Sequence, residues 1–298
     1  MTSQTIDAAA SGTWKLGDLP VHRIGFGAMR LPQHGEALEA DAVPRDRDQA
    51  IRVLRRAVEL GVNHIDTAAF YFSPLRSANE LINRALGPYP DDLVIATKVG
   101  PGRDASGQWQ PHATPAQLRG QVEENLRQLG RDHLDVVNLR IVGTDSIAER
   151  FGALAELREA GLIRHLGLSN IRPHHLAEAQ AIAPVACVQN MYGIGATPEQ
   201  KQLLDICGDQ GIAFVPFYSI AGTGRTAGAT TGHSPEVSAL ARAHGVSPAQ
   251  IRLAWTLHQG PHILTIPGTG DPDHLVQNIA TGSLRLSEED LSTLHRAA

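Results

Sequence analysis

Short runs of apolar and β-branched residues recur along the chain, each followed by a longer stretch whose apolar positions return every three to four residues. The runs are RIGFGAM (23–29), NHIDT (63–67), LVIATKVG (93–100), LDVVNLRIV (134–142), IRHLGLSN (163–170), ACVQNMYG (186–193), IAFVPFYSI (212–220) and HILTIPGT (262–269). A run that is apolar on both faces predicts a strand covered on both sides, and the helical period between runs predicts the covering layer. Eight alternating units are the number that closes a parallel barrel, so the expectation is an α/β chain folded as a single (β/α)8 TIM barrel over residues 13–298. The helices carry their own boundaries. Asp48 to Leu60 follows the first strand; Ser77 with Glu80, and Ser247 with Pro248 and Gln250, read as capping boxes; Gly61, Gly130, Gly161 and Gly211 stand where a left-handed residue ends a helix. TWKLGDLPVHRIG reads as a short N-terminal hairpin closing the barrel bottom, and residues 1–12 as a flexible tail.

A doubly wound open sheet would announce itself by G-x-G-x-x-G after the first strand, and GFGAMR at 25–30 does not complete that pattern. GPGR at 100–103 lacks the remainder of a Walker loop. Any nucleotide must therefore be held in another way.

Composition narrows the function classes. With 42% hydrophobic and 19% charged residues the chain suits a soluble globular protein rather than a disordered one. A formal net charge of −5, without a basic run interleaved with aromatics, argues against nucleic acid. Cys187 and Cys207 have neither C-x-x-C nor His-rich spacing, so no disulfide framework and no metal site are expected, and a reducing cytoplasm fits. The first residues lack the pattern of a secretory signal, and no stretch approaches the ~18 apolar residues of a membrane helix. The expected partner is a small molecule, and the expected form a monomer or weak homo-oligomer.

Polar residues interrupt the strands at their C-terminal ends: Asp66, Lys98, Arg140, Ser169 with Asn170, and Gln189. Those ends line the active-site mouth of an α/β barrel. Tyr71 follows Asp66 in the segment DTAAFY, which resembles the acid-bearing D-T-A-x-x-Y segment of the aldo-keto reductases; with Lys98, the resemblance implies carbonyl reduction. A carbonyl that accepts hydride becomes an alkoxide and needs a proton as charge develops on oxygen. A tyrosine with a pKa of about 10 can supply it if an ammonium lowers that value and a carboxylate holds the ammonium.

The ordered set GVNHIDTAAFY, TKVG, GLSN, VQNMY and IPGT resembles the aldo-keto reductase family from about Trp14 to the C-terminus, closest to bacterial members of the pyridoxal reductase type. The resemblance implies Asp66, Tyr71 and Lys98 as the catalytic set. It also marks a departure: where the family has a histidine five residues after the Asp of its fourth strand, this chain has Arg140 after Asp135. Arg140 is expected to bind the carbonyl oxygen or an anionic substituent rather than to relay a proton. Arg30 and Trp109, with Tyr71 and Arg140, are the candidate substrate contacts.

The same resemblance implies NADPH as cofactor. Ser169, Asn170 and Gln189 are expected at the nicotinamide carboxamide, Phe217 or Tyr218 stacked on the ring, and Ser219, Ile220 and Gly222 toward the pyrophosphate. Gly27, Met29 and Asp66 belong to the same surface. At the adenosine end stand Pro267, Gly268, Thr269, Gly270, His274, Gln277 and Asn278. Gly268 and His274 replace the family's Lys and Arg there, while Asp271 and Asp273 would oppose a phosphate, so NADH stands as an alternative. The implied reaction is hydride transfer to an aldehyde, pyridoxal to pyridoxine being the candidate. A generalist aldehyde or ketone reductase and a non-catalytic NADPH-sensing subunit, like the potassium-channel β-subunits, are the competing readings.

Overall fold

A computed structural model describes residues 6–220 and 233–296. Seven strands lie parallel in one sheet, each beside its predecessor: Phe26–Gly27, His64–Asp66, Val94–Val99, Leu134–Arg140, Ile163–Ser169, Val185–Gln189 and Ala213–Phe214. The eighth segment joins the two free edges. Leu264 N donates to Phe214 O at 2.9 Å, and Thr265 N donates to Arg23 O at 2.8 Å. With the parallel bridges Phe214↔Ile263 and Ile24↔Thr265, the sheet becomes the expected (β/α)8 barrel. Nearly all eight runs become strands because both faces are covered, the outer one by helices such as Arg47–Glu59, Pro115–Leu129 and Pro248–His258.

Alternation along the strands sorts the interior into layers. Val94, Ala96 and Lys98 share one face of their strand, as do Val136, Asn138 and Arg140, Cys187 and Gln189, and Ala213, Val215 and Phe217. The apolar members other than Phe217 pack at the lower end against Leu16 and Val21 of the hairpin Thr13–Leu16 and Leu19–His22, which closes that mouth as expected. Asp18 at the hairpin turn ties it to the fifth strand, pairing with Arg164 at 2.7 Å and His165 at 2.5 Å. Higher up, Cys187 Sγ donates to Asn138 Oδ1 at 3.2 Å; Gly167 lies between them, and a Cβ there would stand 2.1 Å from that oxygen. The polar members are left at the upper mouth.

The expectation of a loose tail over residues 1–12 is corrected for its second half. Asp7 Oδ1 accepts from Ala9 N at 2.7 Å and caps the 3-10 turn Ala8–Ser11. Ala8 is fully buried and its N–H donates to Leu60 O at 2.8 Å, while Ser11 Oγ accepts from Ile24 N at 3.1 Å. Small residues allow this turn to pack under the barrel where longer ones would not fit. Among the described residues no helix is long and apolar enough to cross a membrane.

Candidate active site

The strand ends bring Asp66, Lys98 and Gln189 together. Lys98 Nζ donates to Asp66 Oδ1 at 2.6 Å and to Thr67 O at 3.0 Å, and Gln189 Nε2 donates to Asp66 Oδ2 at 2.6 Å. All three side chains are buried. Tyr71 reaches the same point from the loop after the second strand, and Lys98 Nζ lies 4.8 Å from its ring centroid. The loop is fixed at both ends, Tyr71 N donating to Ala68 O at 3.0 Å and Ala78 N to Tyr71 O at 2.9 Å.

The electrostatics differ in one respect from the sequence expectation. Burial pushes the Tyr71 phenol above its ordinary value and outweighs the Lys98 ammonium, which pulls the other way. For Lys98 burial opposes the charge, but Asp66 and Tyr71 outweigh it and hold the ammonium above its ordinary range. The resting site therefore holds a neutral phenol against a charged lysine.

Arg140 rises beside them. Its Nη1 donates to Ser169 Oγ at 3.2 Å, and its guanidinium carbon stands 5.3 Å from the Phe217 ring centroid. Among the described residues it pairs with no carboxylate within 4.0 Å. Its main chain is held from outside: His112 Nε2 bonds Arg140 O at 2.7 Å while Arg150 Nη1 stands 2.6 Å from His112 Nδ1. A guanidinium can only donate, so Nδ1 accepts and the proton sits on Nε2.

Above this floor opens a cavity of about 750 Å³, within the roughly 300–1,000 Å³ of ligand clefts. Of the residues singled out from the sequence, Gly27, Met29, Arg30, Asp66, Tyr71, Lys98, Trp109, Arg140 and Gln189 line it. So do Phe217, Tyr218, Ser219 and Ile220 on one side, and Pro267 to Gly270, His274, Gln277 and Asn278 on another. Two do not. Ser169 lies beneath the wall, its hydroxyl 3.4 Å from Gln189 Oε1, and the Asn170 amide is turned onto Ile141 O at 2.9 Å by a left-handed backbone, φ 60°. Gly222 falls outside the described residues.

Sequence reasoning missed Phe70, Arg45 and Ser247 to Ala249 on the same wall. Phe70 carries the Trp109 indole, ring centroids 5.8 Å apart. Arg45 precedes a helix, where an arginine carries no signal, yet its guanidinium lies against Gly270, whose Cβ would stand 2.1 Å from Arg45 Nε. Its contacts to Gly270 O, Gln33 O and Arg30 O are long, 3.3–3.4 Å. At the start of helix Pro272–Ala280, Asp271 Oδ1 accepts from Asp273 N at 2.8 Å and His274 N at 3.1 Å, so a carboxylate occupies those donors.

The profile of the aldo/keto reductase family matches residues 23–298. The chain belongs to the aldo/keto reductase family. Pyridoxine 4-dehydrogenase of Escherichia coli is 44% identical to this reductase over 96% of the chain and 98% of the relative. Methylglyoxal reductase of the same organism is 30% identical over 94% and 92%. Among solved structures, an aldo-keto reductase from Klebsiella pneumoniae in complex with NADPH superposes with a TM-score of 0.77 at 28% identity, over 93% of this reductase and 91% of the other chain. The reductase thus joins a family of oxidoreductases that act on small carbonyl compounds.

Proposed function

We propose that this reductase reduces pyridoxal to pyridoxine with NADPH. The observation that carries the reading is Tyr71, a neutral phenol beside a lysine that Asp66 holds, at the floor of a cavity of ligand size. When bound, the reduced nicotinamide supplies a hydride. Tyr71 donates its hydroxyl proton to the carbonyl oxygen as negative charge builds there, and Lys98 stabilises the phenolate left behind. Asp66 keeps Lys98 charged and oriented. Because Arg140 cannot relay a proton, it is free to bind an anion, and the phenolate of pyridoxal is one.

The wall fits a dinucleotide. Gln189 and the aromatic Phe217 would hold the nicotinamide end, and Asn278 the adenine. Arg30 and Arg45 bring two guanidiniums to the cavity in place of the absent lysine at Gly268, which favours the polyanionic cofactor. Asp271 works against an additional phosphate, so the expected preference for NADPH over NADH is modest.

The test is turnover of pyridoxal, 3-deoxypyridoxal and a plain aromatic aldehyde, followed by loss of reduced-nicotinamide absorbance in wild type and Tyr71→Phe. Pyridoxal turnover that is abolished in Tyr71→Phe and weakened with 3-deoxypyridoxal supports the reading. Equal turnover of all three aldehydes makes the enzyme a generalist, and cofactor binding without turnover moves it to a sensing role.

A further inference from the structure

Behind the ion pair, on the outside of the barrel, lies a second polar cluster that the reaction does not touch. Side chains alternate, so Asp66 and Lys98 face the interior while Thr67 and Thr97 face the helices. Asp66 is in register with Ala96, which makes Thr67 and Thr97 the next facing pair. Both are fully buried, and both hydroxyls end on amides: Thr67 Oγ1 donates to Asn79 Oδ1 at 2.7 Å, and Thr97 Oγ1 to Asn125 Oδ1 at 2.5 Å. Asn79 Nδ2 donates to the same Asn125 oxygen at 3.0 Å, and Asn125 Nδ2 donates to Gln121 O at 2.8 Å. Asn79 belongs to helix Ala78–Leu86 and Asn125 to helix Pro115–Leu129, each fully buried. Two helices are thereby tied to two strand ends through one carbonyl oxygen.

The clamp bears on the chemistry through Thr67. Its carbonyl oxygen accepts from Lys98 Nζ at 3.0 Å, so with Asp66 it is one of two acceptors that set the direction of the ammonium, which stands 4.8 Å from the Tyr71 ring centroid. The apolar side chains of the core, such as Ile, Leu and Val, hold an element in place without fixing the direction of one carbonyl. Two buried amides are costly unless every bond is made, and here they make bonds that apolar residues could not. We infer that Asn79 and Asn125 are positioning residues for proton delivery, holding the Thr67 carbonyl where it orients the Lys98 ammonium toward Tyr71. This rests on the reading of Tyr71 as proton donor.

The experiment compares wild type, Asn79→Ala, Asn125→Ala, Thr97→Val and Thr97→Ser. Each is followed by kcat and KM against pH, and by ultraviolet difference titration of Tyr71 against Tyr71→Phe. Loosening the clamp should lower kcat by roughly tenfold to a hundredfold with KM nearly constant, the size of effect expected for displacement of a catalytic group by about 1 Å. The groups facing Tyr71 are Lys98, Asp66 and Arg140. Of these Lys98 lowers the phenol pKa most, so its withdrawal should move the Tyr71 titration and the basic limb of kcat to higher pH. Thr97→Ser, which restores the hydroxyl, should recover most of what Thr97→Val loses. Variants that melt earlier yet keep the wild-type kcat and pH profile would overturn the inference, leaving the cluster as packing alone. If the asparagine variants do not fold, the two Thr97 variants decide. If wild type reduces no aldehyde, the reductase reading has failed, and the Tyr71 titration alone decides the clamp.

Discussion

At the scale of single residues, the two buried charges Lys98 and Asp66 should tolerate removal only as a pair. Lys98 and Asp66 are both buried at 2.6 Å, so Lys98→Met leaves a carboxylate without its cation and should cost about 3–5 kcal/mol of stability. Lys98→Met with Asp66→Asn should recover most of that loss in a chemical denaturation series while remaining inactive, which separates the structural from the chemical part of the pair. A double variant no more stable than the single one would contradict this account. Tyr71→Phe removes only the hydroxyl from a ring packed edge-on to Phe70 at 5.1 Å. It should keep the melting temperature and the cofactor affinity and lose on the order of 10²–10⁴ in kcat, the usual worth of a general acid. Arg140→His should retain reduction of plain aldehydes while weakening pyridoxal, measured as the ratio of kcat/KM values.

At the scale of elements, in the proposed binding mode helix Pro272–Ala280 sets how the far end of the cavity treats a phosphate. Its first N–H groups are taken by Asp271, and the nearest guanidinium, Arg45, comes from the segment before another helix. Asp271→Asn should therefore tighten NADPH relative to NADH. Arg45→Gln should weaken the dinucleotide by about tenfold, on the order of 1–2 kcal/mol for a charge-assisted hydrogen bond, in a fluorescence-quenching titration. This element also shows what the sequence made legible. Gly268, His274 and Asn278 could be placed on the wall because a strand running into a capped helix has one orientation in a barrel. Arg45 could not, because its proximity to Gly270 depends on how two loops far apart in sequence pack. Asn79 and Asn125 were silent for a similar reason: on an amphipathic pattern a buried amide looks like a surface one. The tail failed differently, since Ala8 and Ser11 carry no periodicity and only their small size lets them pack.

At the scale of the whole molecule, the barrel carries a built-in acid sensitivity away from the active site. His64 is buried, both ring nitrogens lack a partner, and burial depresses its pKa from 6.5 to about 4. The folded state therefore stays neutral where the unfolded state takes up a proton. Stability from this group is complete above about pH 6.5 and is lost as pH falls toward 4, by about 3 kcal/mol in total. Denaturant midpoints measured across that window should fall with pH, and His64→Leu should flatten the slope. The same enclosure has a different consequence for the two thiols. Cys187, bonded to Asn138 inside the barrel, and Cys207, in the helix Pro198–Asp209, are both buried and both pushed up to about 12 by burial. An electrophile needs a thiolate at the surface, and neither sulfur offers one. An aldehyde that enters the cavity thus meets no reactive thiol with which to form a thiohemiacetal, and iodoacetamide should leave the native fold unlabelled.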